Sequence, residues 1–187
     1  MKILATGTTG GIGGAFAKAA RDAGHDVVEW NRADFERGGA LPGGPYDAVV
    51  FSTGTCPVVP VSLLSDERFE KTVRVNCGLF LRIVREVVTR RLCAAGGARV
   101  VAVSSVSANE GWAGGAAYCA SKGALSAMCR ALDAELAPRG IRVSAVEPRY
   151  VKTRMFDEGA GRMGVGADLA RDPRELAEEI LKGLEAT

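Results

Sequence analysis

Histidine is almost missing from this chain. His25 stands alone among 187 residues, between a helical pattern and a strand pattern. One imidazole in a solvated turn argues against a Ser-His-Asp hydrolase and against a histidine-based metal site, so no metal is expected. Excess charge of either sign is missing too. Lys and Arg number 24 against 22 Asp and Glu, and the resulting +2 is too small to argue for nucleic acid or a membrane surface. No apolar run approaches the length of a bilayer span. The opening Met1 to Gly7 reads as a strand entering a turn rather than a signal peptide. The five cysteines, Cys56, Cys77, Cys93, Cys119 and Cys129, have no Cys-x-x-Cys spacing, and their odd number fits reduced thiols in a cytoplasmic protein. No internal repeat is visible. What remains is ordinary for a globular core, 47% hydrophobic and 25% charged, in a length that suits one domain over residues 1–187.

The pattern alternates. Lys2 to Thr6 reads as a strand, followed by the glycine-rich turn Gly7, Thr8, Thr9, Gly10, Gly11, Ile12, Gly13, Gly14, and by a helix over Ala15 to Ala23. Strand, glycine turn and helix form the arrangement in which backbone N–H groups and a helix N-terminus hold a pyrophosphate. The spacing is Gly-x-x-x-Gly-x-Gly across Gly7, Gly11 and Gly13, which differs from the general dinucleotide fingerprint. The bland alternative is a tight turn with no ligand. Asp26 to Asn31 reads as a second strand. At its end stand Asn31 and Arg32, with no carboxylate to repel a 2′-phosphate and a guanidinium to attract one, which favours NADP(H) over NAD(H). The stretch from Arg32 to Pro45 reads as a loop or a single turn. Asp47 to Ser52 reads as a buried strand that runs into Thr53 and Gly54, at the end of a strand where ligands bind in open α/β sheets.

Ser65 or Asp66 is expected to cap a helix reaching about Leu92, with Phe69, Val73, Asn76, Phe80, Ile83 and Val87 along one stripe. Asn76 interrupts that apolar face, which suggests a kink or a held water ahead of simple pairing with backbone. Arg82, Arg85, Arg90 and Arg91 read as a solvated face. Arg99 to Val103 is a strand, and a helix begins near Ala116. Tyr118 and Lys122 share one face of that helix, heading a stripe continued by Leu125, Cys129, Leu132 and Leu136. Polar groups on a buried face need partners or a job. An ammonium beside a phenol favours phenolate, so Lys122 is expected to lower the Tyr118 pKa and equip it for proton transfer. Ser105 stands at the end of the preceding strand, within reach of the same substrate oxygen. Ile141 to Val146 is a last strand. Phe156 to Asp168 carries four glycines and reads as a candidate lid, and Asp172 with Pro173 starts the final helix. Strands alternating with helices predict an α/β fold, a doubly wound parallel sheet of about five strands covered on both faces.

Together these motifs resemble the short-chain dehydrogenase/reductase family, in order over almost the whole chain. The carriers are Thr6-Gly7-x-x-x-Gly11-Ile12-Gly13, Asn76, Ser105 thirteen residues before Tyr118, Tyr118-x-x-x-Lys122, and Pro148, Val151 and Thr153. The resemblance implies a Rossmann-like fold and hydride transfer between NADP(H) and a small carbonyl or hydroxyl substrate. Tyr118 would be the general acid/base, Ser105 would hold the substrate oxygen, Lys122 would bind the nicotinamide ribose, and Asn76 would order a water in a proton relay. The implied cofactor residues are Gly7, Thr9, Gly11, Ile12, Gly13, Asn31, Arg32, Thr53, Gly54, Tyr118, Lys122, Pro148, Val151 and Thr153.

The chain also departs from the family. The Asn-Asn-Ala-Gly after the third strand reads Phe51-Ser52-Thr53-Gly54, and the glycine after Pro148 is Arg149. A helix and strand after Asn31 are absent, as is the strand that follows the last helix and helps the family build tetramers. A homodimer through the helices over 66–92 and 118–136 is therefore expected ahead of a higher homo-oligomer. Two readings stand: an NADP(H)-dependent reductase or dehydrogenase, or a dinucleotide-binding sensor or partner protein with little turnover. The Ser105, Tyr118 and Lys122 set favours the first, since a binder needs no proton donor. Trp112, Tyr150, Met155, Phe156 and Met163 are candidate apolar pocket residues, and Arg149 either greets an anionic substrate or sits in solvent.

Overall fold

Five short apolar segments pair side by side in parallel. The computed structural model describes residues 1–159 and 165–186. Its strands are β1 (Lys2–Thr6), β2 (Asp26–Glu29), β3 (Ala48–Phe51), β4 (Ala98–Val103) and β5 (Ile141–Val146), in the spatial order β2-β1-β3-β4-β5. Parallel pairing needs a crossover each time, and the helices supply most of them. They are α1 (Gly11–Asp22), α2 (Arg32–Glu36), α3 (Asp66–Val73), α4 (Leu79–Thr89), α5 (Ala116–Leu136), α6 (Arg154–Glu158) and α7 (Pro173–Glu185).

Side-chain alternation along the strands feeds two cores, one on each face of the sheet. Ile3, Ala5, Val50 and Val101 pack with Phe16 and Ala20 of α1 and with Leu176, Ile180 and Leu184 of α7. Leu4, Val49, Phe51 and Val100 turn the other way, onto Phe80, Ile83 and Val87 of α4 and Leu125 and Cys129 of α5. The doubly wound sheet expected from the alternation is thus present. The chain leaves β1 toward β2 on one side and β3 on the other. That reversal opens a crevice at the carboxyl ends of β1 and β3, where such sheets bind ligands.

Several elements differ from the pattern reading. Helix α1 begins four residues earlier than expected, and runs through Gly11, Ile12, Gly13 and Gly14. Strand β2 ends at Glu29, where Trp30 turns into the core against Phe35, so a carboxylate does stand at the end of the strand, where none was expected; it accepts from Thr8 Oγ1 and Arg21. The region after Asn31 holds one five-residue helix, α2. The long helix is broken into α3, a π-helical stretch over Arg74–Gly78, and α4, which stops at Thr89 rather than near Leu92. Phe69 was expected inward but is 41% exposed, on a helix that packs against α5. Arg82 is not simply solvated. It donates to Gly39 O at 2.8 Å and lies over the rings of Trp30 and Phe35, so it packs the short segment after β2 against α4.

Candidate active site

The crevice holds a cavity of about 780 Å³. One wall is the glycine turn. Gly7 has φ +68°, a left-handed conformation that glycine adopts without strain. A Cβ at Gly13 would fall 2.3 Å from Gly7 O and 2.4 Å from Ser52 Oγ, so the turn can close on β3 only with hydrogen there. A Cβ at Gly11 would fall 2.4 Å from Thr153 Cγ2, which brings the start of α1 against the start of α6. Gly10 caps α1 without a side chain, and the first turn of α1 carries no acidic residue. That helix end therefore faces the cavity with its positive dipole uncompensated, a fit for a pyrophosphate.

The opposite wall carries Ser105, Tyr118 and Lys122. Ser105 follows β4 in an extended conformation and caps a short 3₁₀ turn over Val106–Ala108, accepting from Ser107 N at 3.1 Å. Tyr118 sits in the first turn of α5, with its ring 6.2 Å from that of Trp112. Burial pushes the Tyr118 phenol above its ordinary value, the Cys56 thiol adds to this, and a hydrogen bond with Ser105 pulls the other way. This is the reverse of the shift expected from the Tyr-x-x-x-Lys spacing. The Lys122 ammonium donates to Val103 O at 2.7 Å and lies 5.7 Å from the tyrosine ring centre. That bond holds the ammonium in place without cancelling its charge, and burial is the larger effect on the phenol. Lys122 is only 5% exposed, and burial pulls its amine down to about 8.

Asn76 does not line the cavity. It is fully buried in the π-helical stretch. Its Oδ1 accepts from Thr55 N at 2.8 Å, and its Nδ2 donates to Thr55 O at 2.9 Å and to Ser121 Oγ at 2.8 Å. Both halves of the sequence alternative hold: the helix is distorted there, and the side chain pairs with backbone. The amide ties the β3 loop to α5 directly behind Gly54.

At the far end of the cavity, Asn31 holds the glycine turn in place. Thr8 N donates to Asn31 Oδ1 at 2.9 Å, and Asn31 Nδ2 donates to Thr8 Oγ1 at 2.8 Å. Arg32 lines the same end, with its Nε 3.3 Å from Glu36 Oε1. Thr9, Ile12, Thr53, Gly54, Pro148, Val151 and Thr153 also face the cavity. Of the pocket aromatics and methionines named above, Trp112, Tyr150, Met155 and Phe156 line it, while Met163 and part of the candidate lid lie outside the described residues. The lining also holds residues not singled out in the sequence, among them Ser107, Glu110 and Glu36. Only Glu36 had a local signal, one helical turn beyond Arg32. Arg149 is paired with Glu110 at 2.5 Å, linking the loops after β4 and β5 across the mouth. Among the described residues, no group of three His, Cys, Asp or Glu is placed to hold a metal.

A family model described as short chain dehydrogenase matches residues 40–162, a span that holds Ser105, Tyr118 and Lys122 but not the glycine turn. The 3-oxoacyl-acyl-carrier-protein reductase FabG of Rickettsia conorii is 29% identical over 83% of this chain and 74% of its own length. L-xylulose reductase of Bos taurus is 31% identical over 70% of this chain, an alignment that spans about half (52%) of the bovine enzyme. Among solved structures, a protein described as an NAD(P)-dependent gluconate 5-dehydrogenase from Beutenbergia cavernae, with NADP bound at low occupancy, superposes with a TM-score of 0.80. It is 26% identical, and the match covers 94% of this chain and 86% of that one. The chain belongs to the short-chain dehydrogenase family, as an NAD(P)-dependent enzyme of that oxidoreductase class.

Proposed function

We propose that this chain is an NADP(H)-dependent carbonyl reductase or alcohol dehydrogenase built on one dinucleotide-binding domain, with Tyr118 as its general acid/base. The observation that supports this best is convergence: Ser105, Tyr118 and Lys122 line the same cavity as the glycine turn and Arg32. When bound, the nicotinamide supplies or takes the hydride. The residues do the rest. Gly10, Gly11 and Ile12 bring backbone and a helix N-terminus to the phosphates. Ser105 holds the substrate oxygen, and Tyr118 hands it a proton or removes one. Burial keeps the phenol protonated near neutral pH, which suits the acid role in reduction. Lys122 meets the ribose hydroxyls by leaving Val103 O, and Pro148, Val151 and Thr153 close the nicotinamide end. Asn76 holds the β3 loop and α5 in register and orders the relay from behind.

NADP(H) preference is read from Arg32. Its partner Glu36 is an exposed residue, and such pairs contribute little, so a 2′-phosphate can draw the guanidinium away. Free thiols at all five cysteines suit a reducing cytoplasm. No helix among the described residues is long and apolar enough to cross a membrane. We read the assembly as a homodimer through α3, α4 and α5. Two variants test the chemistry. Tyr118→Phe keeps NADPH affinity and lowers kcat by about 10² or more; full turnover refutes the acid role. Arg32→Ala weakens NADPH by about tenfold and leaves NADH nearly unchanged; an equal loss for both refutes the 2′-phosphate reading.

A further inference from the structure

A chain of side-chain hydrogen bonds behind the cavity is used by none of the steps above. Ser104 and Ser126 are 2% and 3% exposed, and their hydroxyls meet at 2.8 Å. Ser126 Oγ donates to Glu147 Oε1 at 2.6 Å, and Asn109 Nδ2 donates to Glu147 Oε2 at 3.0 Å. An ionised carboxylate only accepts, so the polarity of the chain is fixed. Ser126 spends its one proton on Glu147, so Ser104 gives its own to Ser126, with Lys122 O, at 3.2 Å, the longer and competing acceptor.

We infer that Glu147 is the positioning residue of this active site, the anchor that holds the Ser105 loop against the Tyr118 and Lys122 helix. It leaves the end of β5, the strand beside β4. One oxygen fixes Ser126, one helical turn beyond Lys122 on α5. The other fixes Asn109, at the far end of the loop that begins at Ser104. Ser104 closes the circuit beside Ser105, whose own side chain then turns toward the cavity. The end of β5, the loop after β4 and the Lys122 turn of α5 are thus tied at one carboxylate, alongside the Arg149–Glu110 pair between the two loops and the Asp133–Arg142 pair between α5 and β5 farther along. The backbone bonds Ser104 N to Val146 O at 2.8 Å and Val106 N to Pro148 O at 3.2 Å set the strand register, and Asp133 fixes the far half of α5 to β5 through Arg142 and Val143 N, so Glu147 acts on the part of α5 next to Lys122 and on the Asn109 side chain. A shift of about an ångström between a proton donor and an oxygen-holding group costs about 10²-fold in rate, so the anchor acts on kcat.

The inference rests on the proposed roles of Ser105 and Tyr118, and its test separates the two. Glu147→Ala, Glu147→Gln and Tyr118→Phe are compared with the parent protein, using NADPH with 9,10-phenanthrenequinone and 4-nitrobenzaldehyde as carbonyl probes. Amide hydrogen exchange is followed on the same samples. In Glu147→Ala, exchange rises over residues 104–109 and the first turns of α5 and stays unchanged in α1 and α7. In the same variant kcat falls at least about tenfold, NADPH affinity stays within about twofold, and the solvent deuterium isotope effect on kcat grows as proton transfer becomes limiting. Glu147→Gln, which keeps an oxygen for Ser126, recovers most of both readouts. Parental exchange over 104–109 in Glu147→Ala overturns the anchor without any turnover measurement. So does faster exchange throughout the chain with an equal loss of NADPH affinity, the mark of general destabilisation. Full turnover in Tyr118→Phe instead refutes the acid role and leaves the exchange result to decide the anchor.

Discussion

Lys122→Met should change how stability depends on pH, because a buried ammonium costs the fold something that a thioether does not. Lys122 titrates at about 8 in the folded protein against 10.5 ordinarily, with burial as the cause. The folded value is the lower one, so between about 8 and 10.5 the unfolded chain binds the extra proton and stability rises with pH. Taken from pH 7 to pH 10, the gain is about 2 to 3 kcal/mol. Methionine removes the titration, so the parent protein gains on the variant by that amount over that range. At this chain length the gain corresponds to roughly 5–10 °C in melting temperature. At pH 7 the variant trades the burial cost against the loss of the 2.7 Å bond to Val103 O, so the difference at one pH is not the test. The assay is thermal unfolding of both proteins at pH 7, 8, 9 and 10. Cys56, Cys77 and Cys129 feel the Lys122 ammonium and so differ between the two proteins, but burial raises all three thiols, Cys56 to about 11 and Cys129 to about 12. A gap that stays constant within about 0.5 kcal/mol over these pH values refutes the reasoning, and with it the burial of a charged Lys122.

Three further outcomes follow from the same structure. Asn76→Ala removes the partner of Thr55 N and Thr55 O, while Ser121 Oγ keeps its bond to Tyr118 O, and should destabilise by about 2–4 kcal/mol in chemical denaturation. Gly13→Ala drives a Cβ into backbone at Gly7 O, so NADPH binding should fall by more than an order of magnitude in a direct titration, since the turn must open to accept it. The pH profile of kcat/KM for reduction should show its alkaline limb near 8, from Lys122 losing its proton, with no limb from Tyr118 below pH 10. Lys122→Arg should remove that limb.

What was legible in the sequence is what local pattern encodes. Lys2–Thr6 and Ile141–Val146 are strands at the expected residues because their apolar runs end at turn chemistry. Asp172 and Pro173 set the start of α7 as N-cap and first helical residue. The glycine spacing placed the turn, and the Tyr118, Lys122, Leu125, Cys129 periodicity placed the face of α5. What was not legible depends on residues far apart in the chain. Trp30 ends β2 early because Phe35 and Arg82 hold its ring. The π-helical distortion at Asn76 accompanies bonds to Thr55 and Ser121, 21 and 45 residues away. The Tyr118 shift was misjudged because spacing on a helix gives proximity but not burial: burial is the larger effect on the phenol, and only the packed structure shows it. Glu147 gave no signal at all, since a glutamate before a proline reads as a loop residue until α5 and the Ser104 loop are placed beside it.

The central claim is that the cavity between the glycine turn and Tyr118 takes a reduced nicotinamide dinucleotide, and titration of the purified protein with NADPH and NADH tests it most directly. Trp30 precedes Asn31 and Trp112 lines the cavity, so quenching of tryptophan emission with transfer to the nicotinamide reports binding. The account predicts saturable binding of one NADPH per chain, with NADH at least several-fold weaker. No binding of either nucleotide would contradict it, and would mean that the short segment after Asn31 no longer forms an adenosine pocket.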